Sequence, residues 1–156
     1  VTCFDANGNL KWEDKFHNLV VNVGLKDLND KYFTGSAYTA AWYLGLVDGG
    51  TTPTYVAGDQ LNSHVGWTEN TAYTGNRKAA VFAAASTADP SVITNTASPA
   101  VFNMNATATI AGAFLTNQVS GTSGILFSEG NFTGGNKIVA NGDTVNVTYT
   151  FSADAV

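Results

Sequence analysis

From Val145 to Ser152 the chain alternates without a break. Val145, Val147, Tyr149 and Phe151 fall on one side, and Asn146, Thr148, Thr150 and Ser152 on the other. An extended backbone sends successive side chains to opposite faces, so such a run has one face in a core and one in water. The pattern recurs from Phe102 to Phe114. Phe102, Met104, Ala106, Ala108, Ile110, Gly112 and Phe114 oppose Asn103, Asn105, Thr107 and Thr109. Gly112 marks a bulge or bend in this strand. In Tyr38–Leu46 the even positions, Tyr38, Ala40, Trp42, Leu44 and Leu46, form the predicted buried face. Arg77–Ser86 reads as an Ala-rich strand and Ile125–Phe127 as a short one.

The first third reads differently. Residues 1–16 predict a hairpin: Thr2–Phe4 and Leu10–Phe16 flank Ala6-Asn7-Gly8-Asn9, and Asn-Gly suits a tight turn with positive φ. Leu10, Trp12 and Phe16 share one of its faces, and Lys11, Glu13 and Lys15 the other. Helical spacing appears over residues 19–33, where Val21, Leu25, Leu28 and Tyr32 form one stripe. Asn22 is the expected N-cap and Gly35 the expected stop, with the stripe covering the end of a sheet. Residues 48–76 form the longest irregular stretch, and a loop of that length in a domain is usually functional or makes contacts. No helical crossovers separate the later strands, which argues against a parallel α/β sheet. The expected fold is therefore mainly β. It is one domain over 1–156, an antiparallel β-sandwich, jelly-roll-like, with a β-body at 37–156 and one short helix near the N-terminus.

Charge narrows the function. Only 12% of residues are charged, against roughly 25% in an average domain. The net charge is −5 and lacks the basic patch of a nucleic-acid binder. The longest nearly apolar stretch, Ala37–Val47, is broken by Thr39 and falls short of the roughly 20 residues of a membrane-spanning helix. Val1–Phe16 lacks the apolar run of a signal peptide. The single cysteine, Cys3, forms no intrachain disulfide and is expected in the core. Nine of the 19 charges lie in residues 1–31. The nearly neutral remainder, residues 77–120 above all, is expected to pack against other protein.

Chemistry-bearing groups are few. Asp59, His64 and Glu69 lie near one another in sequence, but their spacing is looser than metal sites show. Ser63, His64 and Asp59 assemble a triad only on paper, since adjacent Ser and His do not readily face each other. Glu69 and Glu129 make a carboxylate pair no better marked than any other two acids. No catalytic residue, metal or cofactor is assigned, and the chain is expected not to be an enzyme. Trp42 fits a core face. Trp67, between Gly66 and Thr68, is the better candidate for stacking on a sugar ring. The candidate protein-contact residues are Lys11, Glu13 and Lys15 of the hairpin and Tyr55, Trp67 and Tyr73 of the long loop.

Several segments carry a resemblance. They are Asn18–Leu25, Gly35–Leu46, Gly66-Trp67-Thr68-Glu69 with Tyr73 and Arg77 after it, and Asn141-Gly142-Asp143-Thr144 leading into Val147-Thr148-Tyr149. In this order they resemble small virion structural proteins of tailed bacteriophages, and among these the head decoration (cement) proteins. The resemblance implies a jelly-roll or similar β-sandwich, oligomeric as a dimer or trimer. It implies binding to the major capsid protein on the outer capsid surface, with no direct contact to nucleic acid or membrane. It brings no catalytic residues. The alternative is a tail- or fibre-associated carbohydrate-binding adhesin module.

Overall fold

The computed structural model describes residues 1–155. Three short strands, β1 (Thr2–Phe4), β2 (Leu10–Glu13) and β3 (Leu19–Val20), precede the helix α1 (Asn22–Phe33). Then follow β4 (Tyr43–Asp48), β5 (Glu69–Asn70), β6 (Lys78–Ala79), β7 (Ser91–Thr94) and β8 (Ala100–Asn103). The last five are β9 (Ala108–Thr116), β10 (Leu126–Asn131), β11 (Lys137–Val139), β12 (Thr144–Val147) and β13 (Thr150–Ala153). The chain is mainly β, and every strand pairing is antiparallel.

One sheet runs β2-β1-β12-β8. A second runs β3-β10-β9-β4-β5, with β11 also on β9 and β6 on β4. A two-stranded ribbon joins β13 to β7. Cys3, Phe102, Val145 and Val147 of the first sheet share one core with Leu44, Leu46, Ile110, Ala113, Leu115 and Phe127 of the second. The far side of the second sheet is also covered. There Val47, Ala111, Phe114 and Leu126 pack under Val21, Leu61 and Trp67. The larger sheet is thus a middle layer between the smaller sheet and a cover made of the start of α1 and the 49–68 loop.

This layering explains where alternation and structure part company. Leu44–Val47 and Ile110–Thr116 are buried at every position, because both of their faces are covered. Their neutrality therefore reflects burial inside the chain, which corrects the expectation that this part of residues 77–120 packs against other protein. The opposite side chains remain distinct in partner. Ala113 and Leu115 face the first sheet, while Phe114 faces the cover. Gly45 lies opposite Phe114 on β9, and a Cβ on it would come within 2.4 Å of the Phe114 ring.

Two long alternating runs are each split between layers. Phe102–Phe114 divides into β8 and β9 of different sheets, because Met104 N–H donates to Asp143 O and Asn105 N–H to Ala72 O, turning the chain out of the first sheet. Val145–Phe151 divides at Thr148–Tyr149. There Tyr149 N–H donates to Asn95 Oδ1 (2.6 Å) and Asn95 Nδ2 donates to Val147 O (3.2 Å). The bulge expected at Gly112 is present: the β4–β9 register slips between the pairs Val47–Gly112 and Asp48–Ile110.

Other boundaries move. Residues 37–42 form no strand, so the expected strand begins only at Tyr43, and Tyr38 is exposed. Of Arg77–Ser86 only Lys78–Ala79 is strand, although Ala83 and Ser86 donate backbone bonds to Thr94 and Val92 beside β7. α1 begins at Asn22, so Val21, in extended backbone and with no side-chain cap bond, takes the N-cap place expected of Asn22. Gly35 follows Thr34 with φ +68°, the left-handed turn that ends a helix. The stripe does not cover a sheet. Val21 is buried, but Leu25, Leu28 and Tyr32 face outward, and the one buried helix residue is Gly24.

Candidate functional site

β10 runs through the middle layer and is buried from Leu126 to Gly130. Glu129, flanked in register by Phe114 of β9 and Leu19 of β3, is completely buried. A charged side chain in that position needs partners. The cover supplies them. The Trp67 indole N–H donates to Glu129 Oε2 at 2.8 Å. Asp59, also buried, accepts Val56 N–H at Oδ2 (3.2 Å). Tyr55 OH donates to Asn131 Oδ1 at 2.8 Å, two residues further along β10. The His64 ring stacks on Trp67 with centroids 3.9 Å apart and sets Nδ1 3.1 Å from Trp67 O. Beneath, Trp67 packs on Phe114 at 5.0 Å.

The electrostatics follow from this geometry. Burial first, and then the neighbouring Asp59 carboxyl, push the Glu129 pKa up to about 8. Burial and the nearby Glu129 raise the Tyr55 phenol. A carboxyl that keeps its proton near neutral pH is able to donate in acid–base chemistry. Here that carboxyl is fully buried. A cavity of about 500 Å³ lies elsewhere, between Lys15–Asn18, Thr148–Thr150, Leu44 and Ala113. At its wall Tyr149 OH meets Ser128 Oγ (2.8 Å) and accepts from Asn18 Nδ2 (2.7 Å).

The sequence-level candidates are scattered among different tasks. Asp59, His64 and Glu69 do not converge: Asp59 accepts Val56 N–H, His64 covers Trp67, and Glu69 turns to Arg77. Among the described residues no group of three His, Cys, Asp or Glu is placed to hold a metal ion. Glu69 and Glu129 likewise serve separate clusters. Arg77 is buried and binds Glu69 through two bonds, Nε to Oε1 (2.9 Å) and Nη2 to Oε2 (2.7 Å). Its Nη1 donates to the carbonyls of Gln118 (3.0 Å) and Gly121 (2.9 Å), pinning that loop. Ser63 is tied to Gln60 by paired backbone bonds.

Trp67 is 3% exposed and Tyr73 4%, so neither ring has a face to offer a partner. Trp67 anchors the cover, and Tyr73 packs edge-on against Phe102. Tyr55 is half-buried, and Trp42 packs on Phe127 as part of the core edge. Lys11 pairs with Asp143 at 2.5 Å, while Glu13 and Lys15 are exposed on the hairpin. Cys3 is buried, and burial followed by the nearby Asp143 pushes its thiol up to about 11, which leaves it unreactive as a nucleophile near neutral pH.

Two features escaped sequence reasoning. The Trp67–Glu129 bond joins residues 62 positions apart, and only an acid at a buried position of a middle strand hints at it. The other is the outward face of α1, where Leu25, Leu28, Tyr32 and Phe33 are all exposed. Periodicity identifies such a stripe but does not reveal whether its own chain covers it. Compared with known proteins, the chain matches no family model, no curated protein and no solved structure.

Proposed function

We propose that this chain is a non-enzymatic structural protein of a tailed-phage virion: a head decoration (cement) protein that binds the outer capsid surface and bridges capsid subunits. The observation that carries an assembly role is the uncovered apolar face of α1. Tyr32 is 80% exposed and Phe33 77%, with Leu25, Leu28 and Tyr38 also exposed. The two rings stack edge to face at 4.9 Å and present one aromatic surface. The helix charges are already answered within it, Lys26 by Asp30 and Lys31 by Asp27. A face that is apolar and locally neutral gains by burial against another protein. The capsid as partner comes from the sequence resemblance. Repetition of such a contact over a shell gives avidity, and each bridge opposes the outward pressure of packaged DNA.

The adhesin reading is weaker, because the burial of Trp67 and Tyr73 leaves Tyr55 alone of the three loop aromatics to meet a sugar. The test is addition of purified protein to undecorated capsids, read by co-sedimentation and by the temperature of capsid disruption. The expected result is saturable binding in many copies and a higher disruption temperature. In the double variant Tyr32→Ser, Phe33→Ser the affinity falls at least about tenfold, since each large side chain buried contributes about 1.5–3 kcal/mol. Absence of capsid binding by the parent protein refutes the proposal, and binding to a glycan array instead selects the adhesin.

A further inference from the structure

The bend at Thr148–Tyr149 takes the chain out of the smaller sheet just after Val147, and the cavity of about 500 Å³ lies beside it. Its volume falls within the roughly 300–1,000 Å³ of small-molecule sites. The buried part of its lining is Leu44, Ala113, Phe114 and Val147, with Ser128 among them. Exposed residues, Thr150 among them, line its mouth. We propose that this cavity binds a small uncharged molecule, an apolar ring or short chain that carries one oxygen acceptor, such as a ketone.

A count of hydrogens at the wall calls for that oxygen. Ser128 Oγ and Tyr149 OH lie 2.8 Å apart, and Asn18 Nδ2 donates to the same Tyr149 oxygen at 2.7 Å. The two hydroxyls carry one hydrogen each. One hydrogen is used between them, whichever of the two donates. The other meets no acceptor, since neither hydroxyl makes a further bond among the described residues. Burial raises the Tyr149 phenol above its ordinary pKa, so it keeps its hydrogen across the neutral range. A buried donor left unanswered costs free energy, and an oxygen on a ligand answers it.

The rest of the lining sets the rest of the ligand. Of its charged or titratable side chains, Asp14 pairs with Lys137 at 3.1 Å, and Lys15 and His17 are exposed. No charged residue stands in the buried part of the lining, so a charged ligand would lose its water there without gaining a counter-ion. An ordered water needs two to four polar partners, and beside Leu44, Ala113, Phe114 and Val147 it finds few. No residue of α1 lines the cavity, so the site stands whether or not the outward face of that helix binds a capsid.

Amide chemical shifts of the intact, isotope-labelled chain during titration with cyclohexanone test the site. Saturable shifts are expected at Ala113, Ser128 and Val147, with a Kd of about 1–10 mM for so small a probe. Methylenecyclohexane has the same shape without the oxygen and is expected to bind about fivefold more weakly, the worth of one hydrogen bond. The double variant Ser128→Ala, Tyr149→Phe removes both hydroxyls and is expected to bind the two probes equally, a change that general loosening does not produce. Thr150→Trp places a ring at the mouth and is expected to abolish binding of both probes, which keeps the test open if the double variant does not fold. The proposal is overturned by an absence of saturable shifts, by shifts centred elsewhere, or by equal binding of the two probes to the parent. A preference retained in the double variant, or unchanged binding by Thr150→Trp, overturns it as well and leaves a gap that holds water only.

Discussion

Gly24 sets how closely α1 can approach the body, and its replacement by alanine sets two known effects against each other. Alanine favours the helix over glycine by about 0.8–1.0 kcal/mol. The added methyl, however, would stand 2.5 Å from the Phe127 carbonyl oxygen, 2.9 Å from its Cα and 3.0 Å from its carbonyl carbon. These are backbone atoms of β10, a strand paired to β9 and β3, and they have little freedom to yield. A carbon and a carbonyl oxygen settle near 3.3 Å, so the helix must withdraw by about 0.8 Å. Overpacking of this kind costs about 1–3 kcal/mol. Withdrawal also stretches the bond from Val21 N–H to the same Phe127 oxygen, 3.1 Å long, which contributes about 0.5–1.5 kcal/mol. The clash wins, with a net loss of about 2 kcal/mol for Gly24→Ala. For a domain of this size that lowers Tm by about 4–8 °C. Calorimetry of Gly24→Ala beside Leu28→Ala, an exposed position expected to stay within about 0.5 kcal/mol of the parent, isolates the effect. A Gly24→Ala protein as stable as the parent, or more so, would show that propensity governs and that α1 is not seated on β10 at this distance.

Two buried polar anchors give further tests. Arg77→Ala leaves Glu69 without its cation and frees the carbonyls of Gln118 and Gly121. The expected loss is about 3 kcal/mol in urea denaturation, with faster proteolysis within residues 117–124. Arg77→Lys should recover less than half of it, because one ammonium does not reproduce the planar fork. Asn95→Ala removes both partners of the bend at Thr148–Tyr149, and thermal melting should report a loss of about 2–3 kcal/mol. A melt unchanged from the parent would mean that water replaces the side chain there.

Period two announced the β class correctly because side-chain alternation depends on the backbone alone. It did not reveal which sheet a strand joins. Phe102–Phe114 keeps its alternation through a bend that moves it between layers, since the turn at Met104–Thr107 is built by distant Asp143 and Ala72. The Tyr38–Trp42 half of an alternating run stayed irregular for the complementary reason. It has the residues of a strand, but only Tyr43 onward finds β9 as a neighbour. The local hairpin turn at Asn7-Gly8 needed no distant partner and was legible, with Gly8 at φ +84°. The site was least legible. Trp67 sits in a loop, where exposure is the ordinary expectation, yet its indole is drawn inward by an acid 62 positions away. Tyr73 is likewise internal, whereas Leu25, Leu28 and Tyr32, a stripe that sequence alone set against a sheet, are exposed.

The pairing of β1 with β12 has a consequence during synthesis. Thr2 lies opposite Asn146, and Phe4 opposite Thr144. The smaller sheet therefore cannot close until the chain through Val147 has left the ribosome. At about 5–20 residues per second, β1 waits roughly 7–30 s for its partner. Throughout that interval the β1–β2 hairpin has an unpaired edge, a template for wrong strands. Its alternating charges, Lys11, Glu13 and Lys15, then act as gatekeepers of the nascent chain long before Lys11 meets Asp143 in the finished protein.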